Sequence, residues 1–333
     1  MAYIAFASAK GSPGVTTAVA ALAATWPADR PLVVAELDPA GGDLVVRLDL
    51  ATEPGLVSLA AAGRRELDRD TLLAHTQPVP ALEGDGRASR RVLAGPVAAE
   101  QALASLSALR GVLAGVLAAV EADVLVDCGR LDPSSPVTEV AANADLLVAV
   151  ARPVVAEVHH LAPRLASLKP RSASLLTVGD RPYTAAEVAE AVGASALGTL
   201  PADERAAVVL AGGHPDVVRQ LRRSRLLRDA RSVAEVLASW LAPPQARPDL
   251  PPPPPGPPAF VSDPPAPDAD APPEARPDLP PPPGAPPPEA RPDLPPPPGA
   301  PSPEAANGRR RLRGDAGPRH LRRSDPELEE PRR

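Results

Sequence analysis

The 333-residue chain carries 35 basic and 41 acidic side chains, a formal net charge of −6, and that balance is unlike a general nucleic-acid binder. Its single cysteine, Cys128, excludes an internal disulfide framework and fits a reducing compartment. The start lacks a charged segment followed by an apolar one, and no charge-free apolar run reaches the roughly 18 residues of a membrane span. The expectation is a cytoplasmic protein that meets a membrane only through a partner.

Tyr3–Ala7 is an apolar run without a polar face, the pattern of a buried parallel strand. A Gly/Ser/Pro turn follows, and Thr16–Trp26 predicts a helix stopped by Pro27. Pro31–Glu36 predicts a second strand, running into Asp38-Pro39-Ala40-Gly41-Gly42. Gly55–Arg64 reads as helix, Arg91–Ala94 as a short strand, and Val97–Val120 as one long helix. Asp123–Val126 is a buried strand ending at Asp127, and Asp145–Val150, Ser174–Val178 and Ala196–Leu200 supply three more. Val155–Leu168, Thr184–Val192 and Val217–Trp240 read as helices. This alternation predicts a doubly wound, mostly parallel α/β sheet. Ligands bind such sheets at the carboxyl ends of the strands, which is where Lys10–Thr17, Asp38 and Asp127 fall.

Residues 1–242 hold enough Ala, Leu and Val for one core, whereas about two-thirds of the 49 prolines come later. Within 243–308 the segments 246–255, 275–289 and 290–304 are near copies of ARPDLPPPP, the last two in tandem. No repeat has a face to bury, so this part is expected to be a disordered polyproline spacer. It serves either as a plain spacer or as a docking ligand for a protein partner, and composition favours the spacer. Residues 309–333 form a charged end, also expected to be disordered.

The turn after the first strand reads Lys10-Gly11-Ser12-Pro13-Gly14-Val15-Thr16-Thr17. A phosphate-binding loop aims backbone N–H groups and a helix N-terminus at an anion, in the pattern G-x-x-x-x-G-K-[ST]. Here Ala9 replaces the first glycine and Val15 the lysine, while Gly14 and Thr16 are in place. By that pattern alone, the stretch is equally a plain glycine turn between strand and helix. Only Lys10 and Lys169 are lysines among the 35 basic residues. A lysine kept inside a glycine loop is therefore informative, because arginine is too bulky and planar for a tight phosphate nest.

The loop resembles that of the MinD/ParA family of deviant Walker A ATPases, K-G-G-x-G-K-T-T, at six of eight positions. The resemblance implies a P-loop fold of the MinD type, bound ATP or ADP with Mg²⁺, and a nucleotide-linked homodimer. It assigns Lys10 to the partner's phosphates across that dimer, and Gly11, Ser12, Gly14, Val15, Thr16 and Thr17 to the phosphate cradle. Glu36-Leu37-Asp38-Pro39 is similar to the family's D-x-D-P, which makes Asp38 the residue that positions the attacking water and, with Thr16, part of the magnesium site. Asp127 resembles the aspartate that holds Mg²⁺ through water. The following Cys128-Gly129-Arg130 departs from the usual D-T-P-x-G. Leu197–Asp203 is similar to L-G-x-I-P-x-D, implying that Pro201 and Asp203 lie near the base, although the usual adenine-contacting asparagine is replaced within Gly179–Pro182.

Loss of the loop lysine removes charge-assisted bonds worth about 1.5–3 kcal/mol each, and Pro13 removes one N–H donor. Efficient hydrolysis is not expected. The loop resembles the variant K-G-G-x-G-[TSA]-[ST] of CpaE/TadZ-like proteins, which keeps the first lysine and lacks the second; those proteins localise the Tad pilus machinery and often carry a receiver-like domain ahead of the loop, whereas here the loop follows the chain's first strand. Two alternatives stay open: a non-hydrolysing scaffold acting through the proline tail, and an active chromosome or plasmid partition ATPase. Partition ATPases bind DNA through basic residues, and Arg219, Arg222, Arg223, Arg225, Arg228 and Arg231 cluster on the last helix. A solvated helix face is favoured over DNA. His159 and His160 are adjacent rather than four apart, so no metal site is expected there, and Cys128 reads as a small buried filler.

Overall fold

In a computed structural model, residues 3–64, 67–83, 88–212, 220–221 and 223–241 are described, all within one unit, Met1–Ser262. The proline repeats and the charged end lie outside the described residues. In chain order the elements are β1 (Tyr3–Ser8), α1 (Val15–Thr25), β2 (Leu32–Glu36), α2 (Leu44–Arg47), α3 (Leu56–Ala62), α4 (Arg69–Ala74), β3 (Gln77–Pro78), α5 (Pro80–Glu83), β4 (Arg90–Leu93), α6 (Ala99–Ala108), α7 (Leu113–Ala119), β5 (Asp123–Arg130), α8 (Val137–Asn143), β6 (Leu146–Ala151), α9 (Val155–Leu168), β7 (Ala173–Val178), α10 (Ala185–Val192), β8 (Ser195–Leu200), α11 (Glu204–Ala211) and α12 (Arg225–Leu241).

The strands form one sheet in the order β3-β4-β2-β5-β1-β6-β7-β8. Every pairing is parallel except β3 with β4. Parallel strands need crossovers, and the helices that supply them cover both sides of the sheet. Alternate strand residues feed two cores. Ile4 and Phe6 pack with α1, α11 and α12, while Tyr3, Ala5 and Ala7 pack with α3, α6–α8 and the apolar stripes of α9 and α10. This explains why β1 is apolar from Tyr3 to Ala7: both of its faces are buried. β1 lies centrally, with β5 on one side and β6 on the other, so the loops leaving β1, β2 and β5 converge at one end of the sheet.

Three expectations change. The long helix over Val97–Val120 is two helices, α6 and α7, bent by 80°. Gly111 adopts φ +81 at the break, and the bend leaves both Leu109 and Leu113 buried. The strand expected to end at Asp127 continues to Arg130. The last helix begins at Arg225, where the Ser224 hydroxyl accepts a bond from the Leu227 N–H at 3.2 Å; residues 217–219 and 222 lie outside the described set. In α12, Leu226, Leu227, Ala230, Val233, Ala234 and Leu237 are buried, and Arg225, Arg228 and Arg231 are exposed. No single helix among the described residues is long and apolar enough to cross a membrane.

Candidate functional site

The loop from β1 to α1 turns on two glycines, Gly11 at φ +73 and Gly14 at φ +99, in a region that L side chains rarely adopt. Gly14 is the N-cap of α1; no side chain caps the helix, and its first turn holds no acidic residue. The first N–H groups and the positive end of the helix dipole are thus left for an external anion. Over them opens a cavity of about 660 Å³ whose walls include Gly11, Gly14, Thr16, Thr17, Asp38 and Arg47. Ser12 and Val15 also border it, but Val15 belongs to the core with Phe6 and Ala18 and is 6% exposed.

Asp127, on β5, pairs in register with Glu36 on β2 and is not itself part of the cavity wall. Its carboxylate is fully buried, accepts the Gly129 N–H at 2.9 Å through Oδ1, and bonds the Thr16 hydroxyl. Oδ2 has no hydrogen-bond partner. Burial pushes this carboxyl up to about 6, against the pull of those two bonds and of the nearby Arg47 charge. Asp38 accepts the Ala40 N–H at 2.8 Å, and burial holds its carboxyl above the usual aspartate range. Gly129 (φ +58) lies directly against Asp38, so that an added Cβ would overlap the Asp38 carboxylate. Cys128 is buried, and burial pushes its thiol up, as a filler requires.

Glu36 does not line the cavity. It is 1% exposed, and its Oε1 accepts the Asp43 and Leu44 N–H groups at 2.7 and 2.8 Å while Oε2 accepts Gly95 N–H at 3.0 Å. One carboxylate thereby ties the start of α2 to the end of β4. Burial pushes it up to about 7 despite three donors. Fastened in this way, α2 carries Arg47 to the cavity, where Nη1 donates to Thr17 Oγ1 at 3.0 Å and Nη2 to Asp43 at 2.7 Å.

The sequence-derived residues do not all meet. Gly11, Ser12, Gly14, Val15, Thr16, Thr17 and Asp38 surround the cavity, with Asp127 bonded to Thr16. Lys10 is exposed and stands outside the cavity wall; its Nζ is 3.0 Å from His160 Nε2 on α9. Pro201 and Asp203 lie beyond the end of β8, three strands from β1, and the Asp203 carboxylate caps α11 through the Ala206 N–H at 3.0 Å. Sequence reasoning missed Arg47 and the anchoring role of Glu36. Glu36 carried a signal, an acid next to a Gly-Gly turn; Arg47 carried none.

No protein-family model matches the sequence, and no curated protein matches it either. Solved structures do. A ParA family ATPase from Chlorobium tepidum TLS aligns at TM-score 0.58 and 20% identity, over 71% of this chain and 98% of that one. The fold is that of the MinD and ParA ATPases. The Pyrococcus furiosus cell division ATPase MinD aligns at 0.57 and 18%, over 73% and 100%. A Cyanothece McdA variant in complex with ATP aligns at 0.53 and 15%, over 72% and 96%. The α/β fold expected from the alternation of strands and helices is therefore present.

Proposed function

We propose that this chain is a nucleotide-dependent dimerising switch of the MinD/ParA type, with weak or no ATP hydrolysis. The observation that carries it is the fully buried Asp127, bonded to Thr16, with Oδ2 left without a partner at the foot of an uncapped helix. An orphaned carboxylate oxygen in a low-dielectric site is costly unless a cation completes it. Among the described residues no cluster of three or more His, Cys, Asp or Glu could hold a metal alone. Magnesium is the ion suited to such a site, since it keeps several waters and draws further ligands from phosphates. The residues fit it: Thr16 and Asp127 would hold Mg²⁺, with Asp38 across the cavity. When bound, Mg²⁺ would neutralise phosphate charge and orient the terminal phosphate.

The loop N–H groups and α1 would seat the phosphates of ATP or ADP. Pro201 and Asp203 would flank the base, three strands away. Lys10, outside the wall of its own cavity, would leave its contact with His160 to reach a second copy. That Val15 lies in the core supports weak hydrolysis, because no loop side chain then brings charge to the terminal phosphates. The cargo we assign is a Tad-type pilus or cell-division machinery, engaged through a protein partner and optionally through the proline repeats.

Equilibrium titration of the full chain with Mg-ATP, coupled to light scattering, tests the switch. We expect saturable binding and a shift to dimer that Lys10→Ala abolishes. Absence of binding at millimolar Mg-ATP would sink the proposal. A chain that binds but hydrolyses rapidly with DNA present would instead be a partition ATPase.

A further inference from the structure

We propose that Arg47 supplies, from α2, the positive charge that Val15 withholds from the phosphate loop. This rests on reading the cavity as a phosphate site. Two observations point to Arg47. Its guanidinium borders the cavity, and its side chain is 17% exposed, so its charge is little screened. It bonds the hydroxyl of Thr17, the third residue of α1, and therefore sits over the uncapped end of the helix. A second arginine, Arg130, borders the same cavity but is exposed.

Arginine cannot enter the loop itself without crowding the backbone, yet it reaches well from outside. Its planar fork offers five donors, more than the Thr17 hydroxyl and Asp43 carboxylate consume. Phosphate oxygens arriving at α1 would meet the guanidinium as a preorganised, charge-assisted donor. The cation has moved from the helix to the segment that follows β2. Glu36 fixes that segment by accepting the Asp43 and Leu44 N–H groups, so the arrangement is built rather than incidental. The phosphate charge of a nucleotide would thereby be read jointly by α1 and α2, across the Arg47–Thr17 bond already in place.

The test is calorimetric titration of the full-length protein with Mg-ATP. Arg47→Gln keeps a donor toward Thr17 and removes the charge; we expect affinity to fall about 10- to 100-fold, the range of one charge-assisted bond. Arg47→Lys should recover much of the loss, and adding Val15→Lys to Arg47→Gln should restore affinity to within severalfold of wild type. Thermal melting checks that each variant is folded. Wild-type affinity in Arg47→Gln overturns the inference and leaves the switch standing. A loss that neither lysine restores, in variants melting like wild type, assigns Arg47 a purely structural role and also overturns it. Failure of the wild-type protein to bind Mg-ATP removes both readings together.

Discussion

Gly129 and the carboxylate of Asp38 occupy adjoining space so closely that one methyl group on Gly129 would overlap the carboxylate. Two strand ends, β5 and β2, thus meet through a glycine and an aspartate, next to the hydrogen bond of 2.7 Å that the Leu37 N–H donates to the Asp127 carbonyl. The segment after Asp127 places at position 129 a residue small enough for Asp38 to occupy the adjoining space.

Gly129→Ala is therefore expected to displace Asp38 and strain the φ +58 backbone, costing about 1–3 kcal/mol. In an Asp38→Ala background the overlap disappears, and only the backbone strain of about 1 kcal/mol should remain. Denaturant unfolding of the four proteins closes the cycle. Additive costs would mean that the two residues do not compete for space.

Asp127→Asn separates stability from function. Burial raises the folded-state carboxyl to about 6 from 3.8, so the folded protein holds its proton where the unfolded chain has lost it. Stability contributed by the protonated form is complete below pH 4 and is lost as pH rises through about 6. Asparagine has no such loss. Measured in chelator, the variant should gain on wild type from pH 4 upward and level off above pH 7, ahead by about 1–3 kcal/mol, while magnesium dependence of nucleotide binding disappears. A difference that does not vary with pH would show that Asp127 is not buried with its charge.

Much of this fold is legible in the sequence because burial on both faces leaves an unmistakable mark: β1, β2, β5 and β6 are near-continuous apolar runs. The short elements α2, α4, α5, α8 and α11 left no such trace. A helix of four to eight residues is marginal alone, and α2 exists because Glu36, seven residues upstream of Asp43, accepts its first N–H groups. That is a contact between side chain and backbone, invisible to periodicity. The same reason hid Arg47, the last residue of a helix that pattern reading does not find. The long helix over Val97–Val120 failed differently: helix-forming residues surround Gly111, and only the need to bury both Leu109 and Leu113 decides the bend.

Glu36→Ala tests that anchor. It strands the Asp43, Leu44 and Gly95 N–H groups, each worth about 1–3 kcal/mol if held dry. Fraying of α2 into water limits the damage, and removing a buried carboxylate offsets part of it, so a net cost of about 1–3 kcal/mol is expected. Amide hydrogen exchange should accelerate at Asp43 and Leu44 well beyond the change at β1. Uniform acceleration across the sheet would mean that Glu36 supports the whole fold and not α2 in particular.

Val15→Lys asks whether a lysine at that loop position is enough to raise hydrolysis. Val15 contributes a buried side chain to the core, so its loss should cost about 1–2 kcal/mol, softened because the lysine stem can cover part of the same surface. The ammonium then has the cavity to enter, since Val15 already borders it. Turnover of Mg-ATP is expected to rise at least tenfold over wild type, and Asp38→Ala in the same background should remove the gain. Tighter binding without turnover would place the defect elsewhere, in the segment after Asp127, where Gly129 and Arg130 follow the buried Cys128. Steady-state phosphate release on the single and double variants decides between these outcomes.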